Sequence, residues 1–291
     1  MKKFSDFMGE TLVCPAVPNM HRYLMIDTSA TRPVNVGRSL PLGGSSVDLL
    51  TGRLCDWRKC ANPVLLELPD AAFDEQSISA ASSFFETWHF ANCFTFIESS
   101  LNWSSTLLAL RTRTVAVLPD HVPVMLRFYD ARILPVLLRV LSPEQRHQFL
   151  GIARRWAFPG RKGELCLIES DESLHDSYPT PLSLTPDQEA ALIDAAEVDA
   201  MVDLLLNTNN PTLAAALPPE QHELIEAALS SANSLKIRQG SDQVAYCTLY
   251  LELGPDFMTQ DPWRSWLPDM TVGKLTLSDV MNLAMEASCH E

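Results

Sequence analysis

The stretch MLRFYDARILP, residues 125–135, sets Arg127, Asp130 and Arg132 into an otherwise apolar run. Such a cluster is open to three interpretations: a catalytic site, a surface that recognises another molecule, or a structural clasp. Strand-like sequence precedes Asp130 and helical sequence follows it, so the charges fall where one element gives way to the next. This position favours the clasp over the recognition surface, and both over catalysis.

Side-chain alternation predicts how the cluster is presented. A strand over residues 122–129 would direct Leu126 and Phe128 into the core and Arg127 and Tyr129 to the opposite face. The second pair combines a guanidinium with a phenol at the end of a sheet. Arg127 and Tyr129 are therefore the residues expected to face a partner.

The helix after the cluster begins with its own signals. Asp130 is expected to cap the exposed amide groups and to complement the positive end of the helix, an effect of about 1 kcal/mol. Because Pro135 would remove a hydrogen bond from an established helix, the turn should tighten over 130–134 and the regular helix should begin near Pro135. Arg132 is expected either to fold back onto a carboxylate or to project outward.

The first part of the chain alternates between strand and helix patterns. Short apolar runs bounded by turn formers predict strands, and helical periodicity predicts helices between them. Asp120-His121 joins two strands as a hairpin, which predicts a mixed sheet. The expected class for residues 1–160 is an α/β lobe, a mixed sheet flanked by helices. The remaining predicted strands cover 21–27, 63–69, 93–99 and 114–119, and the predicted helices cover 77–91 and 104–113.

The remainder of the chain predicts a different class. Residues 161–185 are polar, proline-bearing and acidic, which is typical of a linker. Ser142-Pro143 and Thr185-Pro186 each precede a glutamine at the capping-box position and predict helix starts. Apolar residues recur at helical spacing over 186–291, so an all-α C-terminal lobe is expected. Residues 243–253 carry strand-favouring Val, Tyr and Thr, but their helical setting favours a helix.

Charge is divided unevenly along the chain, whose formal net charge is -14. Residues 1–162 hold 18 basic and 14 acidic side chains, whereas residues 163–291 hold 4 basic and 22 acidic ones. The second part is therefore a poor candidate for binding nucleic acid, and it suits a basic protein partner. Asp194, Glu197 and Asp199 are candidates for such an interface, although a solvated helix face is the common alternative.

The motifs of several catalytic classes are incomplete. Cys55-x4-Cys60 has no second close pair to complete four zinc ligands, and His222-Glu223 is followed by Glu226 where a zinc protease needs histidine. No Gly-x-Ser-x-Gly elbow is present. His89, between two aromatic residues, is more typical of a packed or surface histidine than of a catalytic one. No catalytic residue, metal or cofactor is predicted.

Compartment signals point to the cytoplasm. The chain opens with Met1-Lys2-Lys3, but Asp6 and Glu10 interrupt the apolar run that a signal peptide requires. No uncharged apolar run approaches the length of a membrane-spanning helix. The seven cysteines are scattered and odd in number, which suits buried thiols in a reducing compartment. No disulfide framework is expected.

Residues 118–156, beginning LPDHVPVMLRFYDARIL, resemble the signature of the effector-loading chaperones, or adaptors, of bacterial type VI secretion, the family of domain of unknown function 4123. YLMIDTSA at 23–30, NPVLLELP at 62–69 and FTFIESSLNW at 94–103 are similar to other segments of that family. Two positions depart from its pattern: Ala131 stands where the family usually has proline, and His121 where it commonly has glycine. Alanine still suits a first helical turn, and histidine implies a hairpin that is either wider or of a different turn type.

The resemblance implies a non-enzymatic cytoplasmic protein. Its expected partners are a cognate toxic effector, which it would bind and keep soluble, and the spike-tip (VgrG-type) protein onto which it would help to load that effector. Neither nucleic acid nor a membrane is an expected partner. The alternative is an uncharacterised hydrolase or nucleotidyl enzyme that uses Arg127, Tyr129, Asp130 and Arg132 around a cleft.

Overall fold

The computed structural model describes residues 2–28, 45–50, 63–88, 91–172, 176–238 and 240–288. The chain divides into two compact units, Met1–Asp194 and Ala195–Glu291. The first is an α/β unit and the second is helical, as predicted for the fold class. Cys55, Cys60 and His89 lie outside the described residues.

The α/β unit is built on a six-stranded sheet and a three-stranded sheet. The larger sheet has the order β2-β3-β1-β4-β7-β8, and each pair of neighbouring strands in it is antiparallel. The smaller sheet has the order β6-β5-β9 and is mixed, because β9 runs parallel to β5. The elements are α1 (Phe4–Val13), β1 (His21–Asp27), β2 (Ser46–Asp48), β3 (Pro63–Leu68), α2 (Glu75–Thr87), β4 (Phe94–Ser99), α3 (Trp103–Arg113), β5 (Val115–Val117), β6 (Pro123–Met125), α4 (Leu134–Val140), α5 (Pro143–Leu150), β7 (Arg155–Pro159), β8 (Leu165–Glu169) and β9 (Leu182–Ser183).

Helices cover both faces of the larger sheet, so its central strands are apolar on both sides. On one face, α1 and α2 contribute Phe4 and Phe85 to a buried cluster with Phe94 of β4. On the other, side chains from α3, α4 and α5 pack around Trp156 of β7. The second cluster also includes residues of the turn that follows β6, so this turn packs against the sheet.

The strand predicted over 122–129 is wrong beyond Met125, where β6 ends. The Leu126 amide donates to the Thr114 carbonyl, and hydrogen-bonded turns follow it. Phe128 and Tyr129 are both fully buried although they are adjacent, which a strand with one solvated face would not allow. The predicted hairpin is confirmed: β5 pairs with β6, and His121 in the connection adopts φ 67°.

The start of the helix after the cluster agrees with the effect of Pro135. Residues 131–133 form turns, and α4 begins at Leu134. Ile133 occupies the N-cap position and offers no side-chain hydrogen bond. Asp130 is therefore not the N-cap of α4, but its side chain does accept from one amide of the turn, that of Arg132. The Asp130 backbone carbonyl accepts from Ile133 and Leu134.

Residues 161–185, predicted as an acidic linker, instead contribute two strands, β8 and β9, to the sheets of the α/β unit. β8 pairs with β7 along its whole length, and β9 pairs with β5. Asp176 receives two hydrogen bonds of 2.8 Å from the guanidinium of Arg113, which is fully buried. The acidic composition predicted a solvated linker, but the Asp176 carboxylate pairs with a buried cation instead.

The helices after β9 begin with α6 (Pro186–Asn207). Thr185 and Gln188 exchange the reciprocal hydrogen bonds of a capping box, as predicted, and Ser142 and Gln145 do the same at α5. Residues 243–253 are helical, as favoured. The remaining elements are α7 (Pro211–Ala215), α8 (Pro218–Ser234), α9 (Gly240–Leu253), a 3-10 turn (Phe257–Thr259), α10 (Trp263–Thr271) and α11 (Leu277–Ser288).

The core of the helical unit consists of two neighbouring apolar clusters. Met201 and Leu205 of α6 pack with residues of α8 and α9 in the first, and Tyr246 and Phe257 lie in the second. Among the described residues, none of the helices has both the length and the apolar character required to cross a membrane.

The Arg113–Asp176 pair gives a test of whether 161–185 is part of the fold. Asp176→Asn leaves a buried guanidinium without its counter-charge and should lower the free energy of unfolding by about 3 kcal/mol. Denaturant unfolding of the full chain measures this change. Asp171→Asn, an exposed change in the same segment, is the matched control and should have little effect. Equal stability of the two variants would contradict the assignment.

Candidate functional site

Asp27 ends β1 as a buried carboxylate. Its backbone amide donates to the Cys93 carbonyl over 2.8 Å, which continues the antiparallel register between β1 and β4. Only 2% of the residue is exposed. A carboxylate at this depth requires a charged or hydrogen-bonding partner.

Arg127 supplies that partner from the turn after β6. Its Nη2 atom lies 3.0 Å from Asp27 Oδ2 and 3.7 Å from Asp130 Oδ2. Arg127 and Asp27 are 100 residues apart in the sequence. Their contact therefore joins the end of a central strand to the loop before α4. About a third of the Arg127 side chain, 34%, remains exposed.

Asp130 organises the turn itself. Its Oδ1 accepts from the Arg132 backbone amide at 2.9 Å and from Arg132 Nε at 3.0 Å, while Oδ2 accepts from Nη2 at 2.8 Å. The bidentate geometry is the strong form of an arginine–carboxylate pair. Arg132 therefore folds back onto a carboxylate, one of its two expected positions. The four residues Asp27, Arg127, Asp130 and Arg132 are called the carboxylate–arginine junction below.

The junction is fixed to the start of β4 as well as to the end of β1. The Ala131 amide donates to the Asn92 carbonyl at 2.9 Å, and Asn92 adopts φ 50°. Left-handed backbone is tolerated by asparagine better than by most side chains. Ala131 itself is buried within the packed turn.

Charge balances within the junction, which holds two carboxylates and two guanidinium groups. Burial disfavours the charge on Arg127, but the neighbouring Asp27 and Asp130 outweigh it and raise the pKa of the guanidinium. Both carboxylates are buried, whereas each arginine keeps about a third of its side chain in contact with solvent. The arrangement is a neutral brace whose outer edge carries cationic groups.

Tyr129 lies behind the brace rather than on the surface. It is fully buried, its ring centre is 6.0 Å from the Arg127 guanidinium, and its hydroxyl lies 3.9 Å from the Met125 sulfur. Burial raises the pKa of Tyr129 to about 12, against the opposing effect of Arg127. The expectation that Tyr129 faces a partner is therefore wrong, and its role is structural.

The chemistry available to the junction is limited. A general base needs a carboxylate with a free oxygen, but both oxygens of Asp130 accept from Arg132 and Asp27 is paired with Arg127. Burial raises the pKa of the nearby Cys93 thiol, which keeps it protonated and unreactive. Within the part of the chain that the structure describes, no group of metal-ligating side chains has suitable geometry. The geometry favours a clasp.

The acidic interface candidates lie on α6. Asp194 and Glu197 are exposed and Asp199 is half-buried. At about 100° per residue, Glu197 and Asp199 point to nearly opposite sides of the helix. Glu197 Oε1 also accepts from Gln243 Nε2 of α9 at 3.2 Å. Glu197 and Asp199 therefore do not present one continuous face.

Residues 23–148 match a family model described as Domain of unknown function (DUF4123). The match covers less than half of the 291 residues but contains every member of the junction. No curated protein and no solved structure matches the chain.

Sequence reasoning identified three members of the junction and missed Asp27 as the fourth. The signal was present, because Asp27 ends the apolar run HRYLMID, where a buried carboxylate requires a partner. The sequence does not show that Asp27 pairs with Arg127, which is 100 residues away.

A double-mutant cycle tests whether the junction is a brace. Asp27→Asn removes the charge opposite Arg127 and should lower the free energy of unfolding by about 2–3 kcal/mol. Arg127→Gln should also destabilise, and the double variant should lose less than the sum, with a coupling energy of about 1–2 kcal/mol. Denaturant unfolding of the four proteins measures this term. Strict additivity would show that the pair contributes nothing.

Alkaline pH offers a second test, of the burial around Tyr129. Burial raises the pKa of Tyr23, Tyr129 and Tyr178 to about 12, whereas a phenol in the unfolded chain titrates near about 10. The unfolded chain therefore releases protons that the folded chain retains, so stability should fall as pH rises from about 10 to about 12. Denaturant unfolding across this range measures the fall, and Tyr129→Phe should make it shallower. Ionisation of all tyrosines without loss of stability would contradict the assigned burial.

Proposed function

We propose that this protein is a cytoplasmic, non-enzymatic adaptor that binds a cognate type VI secretion effector, keeps it soluble and helps to load it onto the spike-tip protein. The observation that carries the proposal is the family match over residues 23–148, which overlaps the segments that resemble the effector-loading chaperones. The family description itself assigns no activity, so the role comes from the resemblance.

The geometry of the junction supports a binding role over a catalytic one. Its carboxylates are occupied by arginines and the neighbouring Tyr129 is buried, so no group there is positioned to act on a substrate. A brace of this kind gives a rigid framework, which lowers the ordering cost of binding another protein. The outer edges of Arg127 and Arg132 remain accessible on that framework.

Charge supports a protein partner over a nucleic acid. The chain has a formal net charge of -14, and phosphate backbones bind through clustered basic side chains. On α6, all charged residues are acidic, and Asp194 and Glu197 are exposed. A basic segment of an effector would meet a favourable field there.

Co-expression with the neighbouring toxin gene is the test. The toxin should become soluble and should co-purify with this protein at a fixed ratio, and delivery of the toxin should depend on it. Gene order should place this protein between a spike gene and a toxin gene. If the toxin is equally soluble and equally well delivered without this protein, the proposal is wrong.

Charge reversal on α6 tests the acidic surface within that complex. Asp194→Lys with Glu197→Lys should weaken toxin binding by about tenfold and make it less sensitive to salt. Titration by calorimetry at two ionic strengths measures both effects. Asp256→Lys, at an exposed acidic position outside α6, is the control and should bind nearly as the parent does. Equal weakening by the control would remove α6 from the interface.

A further inference from the structure

A groove of about 930 Å³ lies between α4, α5 and the end of β8. Its floor is apolar and includes Leu138, Leu141 and Ile168, all of which also pack against the core. The groove belongs entirely to the α/β unit. It is separate from the carboxylate–arginine junction, none of whose residues line it.

The rim of the groove is basic in a protein that is acidic overall. Arg139, Arg146 and Arg154 line it, and all three are exposed. Within the described residues, none of the three has an ion-pair partner within 4.0 Å. Cations that the fold does not use for its own stability are available to a ligand.

Two acidic residues also line the groove, but they do not cancel its charge. Arg155, outside the lining, lies 3.6 Å from Glu169 but also 3.5 Å from Glu98, so it offsets the charge of Glu169 only in part. Asp171 is the remaining acidic residue among those that line the groove. Three arginines face two carboxylates in the lining, one of them partly offset by Arg155, so the field at this position is net positive and favours an acidic ligand.

The groove adjoins the edge of the larger sheet. In the sheet order, β8 is a terminal strand with β7 on one side. The Ser170 amide donates to the Arg154 carbonyl, so the backbone groups of alternate residues, Leu167 and Glu169, point away from β7. No described residue accepts from or donates to these outward groups.

This edge already accepts one short extended segment. The Leu165 amide donates to the Lys2 carbonyl, and Lys3 forms an isolated antiparallel bridge with Glu164. Strand pairing on this side of β8 is therefore sterically possible. Beyond Leu165 the same edge continues toward Leu167 and Glu169 beside the basic rim.

We propose that the β8 edge and the basic groove together bind an extended, acidic segment of a partner protein. The segment adds a strand to β8, which supplies main-chain hydrogen bonds, and every second side chain points over the face that carries Ile168. Acidic side chains on that face reach Arg139 and Arg146. This inference concerns the α/β unit alone and does not depend on the partner being a secreted toxin.

Synthetic peptides provide a direct test with the full chain. Peptides of about ten residues carry threonine at alternate positions and glutamate, glutamine or lysine at the others. The glutamate peptide should bind about tenfold more tightly than the glutamine peptide, and its binding should weaken with salt. The lysine peptide should not bind. Fluorescence anisotropy with labelled peptides gives the dissociation constants.

Variants separate the charge contribution from the strand contribution. Arg146→Glu should raise the dissociation constant of the glutamate peptide by about tenfold, whereas Arg264→Glu makes the same charge change at an exposed site outside the lining and should leave it nearly unchanged. Leu167→Pro removes an outward amide that makes no bond to β7, so it should preserve the fold and abolish strand addition. Leu167→Thr keeps the amide and is its control.

Amide hydrogen exchange reports strand addition without any variant. Exchange at Leu167 and Glu169 should slow when the glutamate peptide binds, because their outward amides become hydrogen-bonded. The proposal fails if the three peptides bind equally, if Arg146→Glu and Arg264→Glu are equivalent, or if bound peptide leaves exchange along β8 unchanged. These outcomes bear on the groove and leave the co-expression test of the proposed function independent.

Discussion

The pairing of Arg127 with Asp27 is the interaction on which the α/β unit depends most directly. It joins the end of a central strand to a turn that is distant in sequence, and the same guanidinium lies within ion-pair distance of Asp130. A buried carboxylate at the end of β1 is unfavourable without that cation. The ion pair with Asp27 therefore fixes the position of the turn that carries Arg127. Phe128 and Tyr129 are then buried in the core beside Trp156.

Arg113, which is fully buried, has a similar bridging role. Arg113 donates to the Phe149, Ala109 and Gln148 carbonyls as well as to Asp176. Its guanidinium also lies 4.4 Å from the centre of the Tyr178 ring. Arg113 connects α3, α5 and the segment before β9, whereas the junction connects β1, β4 and the loop before α4. In both places arginine orders irregular backbone because its planar donors satisfy several acceptors at once.

Much of this architecture can be predicted from local sequence, and the predictions that are wrong share one cause. Helix starts at Ser142 and Thr185, the hairpin at His121 and the start of α4 near Pro135 all depend on residues within a few positions of one another. The strand over 122–129 and the linker over 161–185 were wrong because tertiary contacts decided them. Burial of both Phe128 and Tyr129 overrides alternation, and the ion pair with buried Arg113 anchors Asp176 of the acidic stretch to the α/β unit. Asp27 was missed for the same reason, since its partner is set by the fold.

The placement of β7, β8 and β9 shows that the family match and the folding unit have different limits. Residues 23–148 include β2, β3, β4 and most of β1 from the six-stranded sheet, whereas β7, β8 and α1 lie outside them. A fragment cut at those limits would expose one side of β4 to solvent and leave Arg113 buried without Asp176. Such an open edge is a template for aggregation. Because β9 completes the smaller sheet only at Leu182–Ser183, this unit cannot finish folding during synthesis until that strand has left the ribosome.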